Sequence, residues 1–348
     1  MILQSPILKH TIVIGAGQSG LAISYFLKKK SIDYLVLDEG HEVGHSWANR
    51  YDSLKLFTNI RHDSLVGLDF PGDKNRYPTK DETAAYLKQY AKHFQVPIRH
   101  NTSVKNLKKE NDLFVIETKD EVYQAKNVII CTGAFHMPFI PECGKKINTN
   151  IFQIHSKDYK NSLQLKKGKI LVVGGGNSGV QIVEELVNEG KEVCFSYRGQ
   201  LKGIGNNPFF VWLSFVSGFV FASKNSFVGK FIIKKGEVII GTDLRKLFGK
   251  PNLNQVGALL EAEKNVLQFE RIQLNDIENI IWATGYTADF NWIQLPIFDA
   301  KGNLETDYGV TKVKGLYFVG SAWQRSRASW LIGGVSRDAK YIAERIDL

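Results

Sequence analysis

The sequence predicts an α/β chain of two three-layer domains, one inserted in the other, with small antiparallel β-meanders. Three observations carry that expectation. The run Thr11 to Gly20, TIVIGAGQSG, passes from β-branched apolar residues through Gly15, Gly17 and Gly20 into an Ala/Leu-rich stretch of helical pattern. Lys169 to Arg198 repeats this layout, with Gly174, Gly176 and Gly179 in the three glycine positions. Each repeat is followed further along by an apolar run ending in Thr-Gly, NVIICTG at Asn127 to Gly133 and NIIWATG at Asn279 to Gly285.

Such strand–turn–helix units are Rossmann-like seats for a diphosphate. Gly15 permits the sharp turn, Gly17 has no side chain to hold a pyrophosphate off the backbone, and Gly20 lets the helix lie close to the strand. The free N–H groups and partial positive charge of the helix N-terminus then face the phosphates. Asp38 ends the next apolar run, YLVLD, where a carboxylate can hold a ribose hydroxyl. The second repeat has Ser196, Tyr197 and Arg198 there, and no acid. An Arg suits a 2′-phosphate that a carboxylate would repel. The first unit should therefore take an unphosphorylated adenosine, as in FAD, and the second NADPH. NADH would serve equally if Arg198 is only a solvated charge.

At 348 residues the chain exceeds one ordinary core and suits two or three domains. An apolar fraction of 43% with 23% charged residues places it among ordinary globular proteins. The net charge of +10 is spread over scattered lysines, which reads as solvated surface and argues against nucleic acid. No metal-ligand spacing is present. Cys131, Cys143 and Cys194 are far apart and none forms CxxC, which points to a reducing compartment. With no basic-then-apolar segment ahead of the first strand, a cytoplasmic protein is expected.

Between the motifs, Gly44 to Asn59 reads as an extended loop around a flat ligand, although Trp47, Tyr51 and Phe57 taken singly suit a core. Thr79 with Glu82 forms a capping box opening a helix with Leu87, Tyr90, Ala91 and Phe94 on one face. Alternation from Ser103 to Ala125 predicts an antiparallel meander, and a shorter one lies near Val266 to Leu274. Phe209 to Ala222, FFVWLSFVSGFVFA, is apolar but shorter than the ~20 residues of a spanning helix. A buried or dimer-forming helix is the first expectation, with no membrane contact; an interfacial membrane helix is the alternative.

These residues resemble a family. The loops GAGQSG and GGGNSG, GHSWANRYDSLKLFT, YPTKDE, HSKDYK at His155 to Lys160, WATGY at Trp282 to Tyr286 and GLYFVG at Gly315 to Gly320 are similar to bacterial flavin-containing monooxygenases. Plant auxin-forming and animal xenobiotic relatives share the pattern more distantly. The resemblance implies bound FAD, a nicotinamide nucleotide as hydride donor, O2 as cosubstrate, and oxygenation of a small S- or N-containing compound through a C4a-hydroperoxyflavin. That chemistry needs orientation and exclusion of water rather than a catalytic triad.

The resemblance places FAD on Gly15, Gly17, Gln18, Ser19, Gly20, Asp38, Glu39, Ser46, Trp47, Leu56, Thr58, Val104, Thr132, Gly133, Gly320 and Gln324. It places NADP on Gly174, Gly176, Asn177, Ser178, Gly179, Arg198, Thr284 and Gly285, with His155 and Asn59 as candidate catalytic groups. There are departures. Of the family pattern FxGxxxHxxxY only His155 and Tyr159 match, with Thr149 and Ile151 in the Phe and Gly places. Tyr159, where ketone-oxidising relatives have Trp, favours heteroatom chemistry, and Ser321 stands where many flavoproteins have a ribityl-binding Asp. The tail Ala322 to Gly334 is expected to cover the flavin.

The expected division is an FAD domain of residues 1–162 and 282–348, with an NAD(P) domain of 163–281 inserted. The alternatives are an NAD(P)H oxidase releasing H2O2, or a non-catalytic flavin and nucleotide sensor tied to cation transport. A disulfide reductase shares the layout but needs a CxxC or CxxxxC pair.

Overall fold

The computed structural model describes residues 5–205, 208–236 and 238–347. The apolar run before the first glycine loop forms β1 (Ile7–Ile14), and α1 (Gln18–Lys29) follows it, ending on two lysines that suit its negative C-terminus. Next come β2 (Tyr34–Leu37), the single turn α2 (His45–Ala48) and α3 (Lys80–His93). α3 opens on the expected capping box: the Thr79 hydroxyl accepts from the Glu82 N–H, and the Glu82 carboxylate accepts from the Thr79 N–H at 2.9 Å. Strands β3 (Ile98–Arg99), β4 (Val104–Glu110), β5 (Leu113–Thr118) and β6 (Val122–Ile130) complete the first half.

The short β7 (Met137–Pro138) leads into β8 (Phe152–His155), β9 (Lys169–Val173), α4 (Asn177–Asn188) and β10 (Val193–Ser196). After these come β11 (Gly203–Gly205), α5 (Pro208–Val216), α6 (Phe227–Lys235), β12 (Ile239–Ile240), α7 (Leu244–Phe248) and β13 (Leu253–Gln255). The small strands β14 (Leu259–Glu263), β15 (Val266–Phe269) and β16 (Gln273–Leu274) precede β17 (Ile277–Trp282). The chain returns through β18 (Tyr286–Thr287) to β19 (Leu316–Phe318) and α8 (Ile332–Ala343).

The first sheet runs β3-β2-β1-β6-β5-β4, with β19 also paired to β6. The last strand of the predicted meander and the first Thr-Gly strand prove to be one element. β6 pairs antiparallel with β5 over residues 122–125 and parallel with β19 over 128–130, while lying parallel to β1 throughout. The second sheet, β13-β10-β9-β17-β8, is wholly parallel, and its runs ILVV, VCFS and NIIW are buried along their length, as strands covered on both faces must be. β8 belongs to this sheet, so the first crossing between domains falls before Phe152, ahead of the expected boundary at 162. β7 and β18 pair antiparallel where the chain crosses out and back. The second meander starts at Leu259 rather than Val266, because Glu261 and Glu263 face solvent around buried Ala262 and blur the apolar pattern.

One core lies under α1, α3 and α8, and another joins α4 to β9 and β10. Tyr51, from the segment expected to wrap a ligand, is buried in the second of these. Its hydroxyl donates to Gln181 Oε1 at 2.8 Å, while the Ser53 and Tyr159 hydroxyls donate to the Glu185 carboxylate. The middle of that segment is thus a wedge between the two domains. The apolar run Phe209 to Ala222 is not one buried helix: α5 stops at Val216, Gly218 turns left-handed at φ +74, and a 3-10 turn spans Phe219–Phe221. Val216 is 63% exposed, which corrects the expectation of burial.

Candidate active site

The two glycine loops are built alike. Gly15 has φ +105, and a Cβ there would lie 2.7 Å from the Cys131 carbonyl oxygen; one on Gly20 would lie 1.9 Å from that of Gly15. Gly174, at φ +123, and Gly179 meet the carbonyls of Ala283 and Gly174 at 2.1 and 1.9 Å in the same way. Gly17 and Gly176, by contrast, have nothing within 4 Å of a built Cβ. Each precedes a helix with no side-chain cap and no acid in its first turn, which leaves N–H donors beside open space fit for a diphosphate.

The second strands end differently. Asp38 is half-buried, and its carboxylate accepts from the Ala16 N–H at 2.5 Å and the Gly40 N–H at 2.9 Å, so the acid is fastened to the glycine loop. Its backbone oxygen accepts from the Thr102 N–H at 2.8 Å, which brings Val104 at the start of β4 to the same end of the sheet. Glu39 and Ser46 are exposed. In the second unit Ser196 accepts from the Leu259 N–H and Tyr197 donates to Gln255, leaving Arg198 as the exposed cation at the strand end.

Both Thr-Gly ends point to the crossing. Gly133 (φ +74) and Gly285 (φ +84) are left-handed with open space at Cβ. The Thr132 hydroxyl is buried without a partner, whereas that of Thr284 donates to the Phe139 carbonyl. His155 is 3% exposed and braces the crossing: its Nδ1 accepts from the Lys157 N–H, so Nε2–H donates to the Gly285 carbonyl at 3.1 Å. Burial pushes its pKa down, and both ring nitrogens are engaged by backbone groups.

Asn59 sits differently. It is buried, and Oδ1 has no hydrogen-bond partner. Beside it the Thr58 hydroxyl donates to Asp63 at 2.5 Å, and burial raises the Asp63 carboxyl to about 7. Gln18 accepts from Trp47 Nε1 at 3.2 Å and donates to the Trp330 carbonyl at 3.3 Å, tying α1 to the tail. Gly320 rests on Ser19, because a Cβ there would stand 1.9 Å from the Ser19 hydroxyl. Leu56 lies in the first core. Gln324 is bonded to the Tyr308 and Phe318 carbonyls and the Ser321 N–H, so it braces the tail. Asn177 accepts from the Ile240 N–H, and Ser178 lies beside the Tyr51 hydroxyl.

Sequence reasoning missed a cluster at the crossing. Arg50 donates to the Tyr286 hydroxyl at 2.7 Å and lies 4.9 Å from the Phe135 ring centroid. Phe135 in turn meets Tyr286 at 5.1 Å and Trp330 at 6.1 Å. Arg50 and Tyr286 lie inside motifs already singled out, but 236 positions separate them, and no periodicity reports their meeting.

A family model described as pyridine nucleotide-disulphide oxidoreductase matches residues 12–217, a span holding both glycine loops. The uncharacterized oxidoreductase CzcO of Bacillus subtilis is 42% identical over 97% of this chain and 99% of its own. The chain belongs to the pyridine nucleotide-disulphide oxidoreductase family. A probable indole-3-pyruvate monooxygenase, YUCCA1 of Arabidopsis thaliana, is 29% identical over 91% of this chain and 86% of its own. The solved flavin-containing monooxygenase of Stenotrophomonas maltophilia superposes with a TM-score of 0.81 at 22% identity, covering 98% of each chain.

The resemblance to flavin-containing monooxygenases is borne out, and the protein is an oxidoreductase of that two-domain fold. A solved complex of OTEMO with FAD and NADP superposes with a TM-score of 0.71 at 15% identity, covering 99% of this chain and 86% of its own. Cys131, Cys143 and Cys194 are free thiols, and burial pushes the pKa of each upward.

Proposed function

We propose that the protein is an NADPH-dependent FAD monooxygenase that oxygenates a small sulfur- or nitrogen-containing compound. The observation that carries this reading is the pair of matched loops, each with open space at its middle glycine, whose Thr-Gly partners converge on the β7–β18 crossing. A flavin on the first loop and a nicotinamide on the second would meet there. The orphaned Thr132 hydroxyl and Asn59 oxygen are polar groups that a bound cofactor would satisfy, which supports the fit.

FAD would rest on Gly15 to Gly20, Asp38 and Gly133, and NADPH on Gly174 to Gly179 with Arg198 toward the 2′-phosphate. Bound FAD would accept hydride from the nicotinamide and activate O2. The chain's own part is to hold and shield. Asp38 would orient the ribose, His155 fixes the Gly285 turn, Asn59 presents an acceptor, and the stacked Phe135 and Trp330 rings stand at the crossing. The three free thiols support a reducing, cytoplasmic setting. Stopped-flow reduction by NADPH without O2, followed by admission of air and quantification of H2O2, tests the reading. Oxygenated product in proportion to NADPH consumed is expected; stoichiometric H2O2 with every thiol and amine tried would make the protein an oxidase, and no NADPH turnover a sensor.

A further inference from the structure

Every large apolar side chain on one stripe of α5 faces outward. Phe209, Trp212, Leu213 and Val216 stand at i, i+3, i+4 and i+7, the spacing by which a helix normally enters a core, and all four are exposed. The inner residues of the same segment are anchored. Val211 is buried, Phe215 stacks on His62 at 4.2 Å, and Arg337 lies 3.6 Å from the Phe221 ring centroid. The outward stripe is therefore held in place by packing beneath it. α6 continues the pattern, exposing Phe227 (87%) and Phe231 beside Lys230 and Lys234. Lys235 lies over the Phe231 ring at 4.7 Å.

The charge of this region chooses the partner. From Glu192 to Glu237 the sequence holds no other acid, yet it carries Arg198, Lys202, Lys224, Lys230, Lys234 and Lys235. A second copy docked about a two-fold axis would set these cations against themselves, with no carboxylate from the same segment to pair them. Apolar side chains bordered by lysine on short helices suit insertion at the headgroup level of an anionic bilayer.

We propose that α5 and α6 dock the protein on an anionic membrane surface, with the Phe209–Trp212–Val216 stripe inserted and Lys230 and Lys234 on lipid headgroups. The proposal does not depend on the reaction catalysed. The test is flotation of the full FAD-loaded chain with vesicles of phosphatidylcholine and phosphatidylglycerol (about 3:1), against phosphatidylcholine alone, with sedimentation equilibrium in parallel. Binding to the anionic vesicles should exceed binding to neutral ones about tenfold and weaken with salt. It should fall about tenfold in Trp212→Ser/Val216→Ser and again in Lys230→Glu/Lys234→Glu, with melting temperature and flavin content unchanged. Equal binding to both vesicles, no binding, or binding untouched by these substitutions overturns the proposal. So does a concentration-dependent dimer that the serine pair abolishes while vesicles bind nothing, which would assign the stripe to a second copy.

Discussion

The two glycine loops share one backbone and differ in what surrounds it. In both, the outer glycines are fixed by backbone carbonyls and the middle one opens on empty space. The first loop is roofed by the tail, through Gly320 on Ser19 and Gln18 on Trp330, and its acid is tied to the turn by two N–H donors. The second loop ends beside an exposed arginine. A phosphate seat is thus a backbone property that duplicates readily, whereas permanence and choice of nucleotide belong to side chains and cover.

The largest test removes one seat at a time. Gly20→Val forces a Cβ into the Gly15 carbonyl and should give colourless protein, while Gly179→Val should stay yellow yet resist reduction by NADPH. Both variants losing flavin would show that the units are not independent. A gentler probe is Gly17→Asp, which clashes with nothing and places a carboxylate where phosphate is expected. The melting temperature of the flavin-free protein should hold, and the FAD Kd should rise on the order of a hundredfold, or ~3 kcal/mol.

Asp63 gives the first unit a pH response. Its carboxyl is raised from 3.8 to about 7, so the folded chain keeps a proton that the unfolded chain releases near pH 4. That contribution is complete below pH 4 and is lost as pH climbs to 7. Asp63→Asn should flatten this fall and be the more stable at pH 8 by roughly 2 kcal/mol in urea unfolding. An unchanged difference between pH 4 and 8 would remove the role.

Arg198→Ala should raise KM about tenfold for NADPH and leave NADH nearly unchanged. Equal effects would reduce the side chain to solvated charge. Smallest is the contrast between the two threonines. Thr284→Val loses its bond to the Phe139 carbonyl, at about 1 kcal/mol of stability. Thr132→Val should leave stability intact and weaken FAD instead, because that hydroxyl has no protein partner.

By itself the sequence determined the two seats, the capping box of α3 and the meanders, because each is local: a glycine at a fixed offset or an alternation of apolar residues acts on its own few neighbours. It misjudged Phe209 to Ala222, since composition reports how apolar a helix is and not whether anything covers it. Tertiary structure alone decided that β6 serves meander and nucleotide sheet at once, that Tyr51 crosses into the other core, and that Arg50, Phe135, Tyr286 and Trp330 meet at the crossing. It also decided that His155 is a brace while Asn59 keeps an unmet acceptor. Contacts between distant segments depend on how whole sheets pack, which no window of adjacent residues encodes.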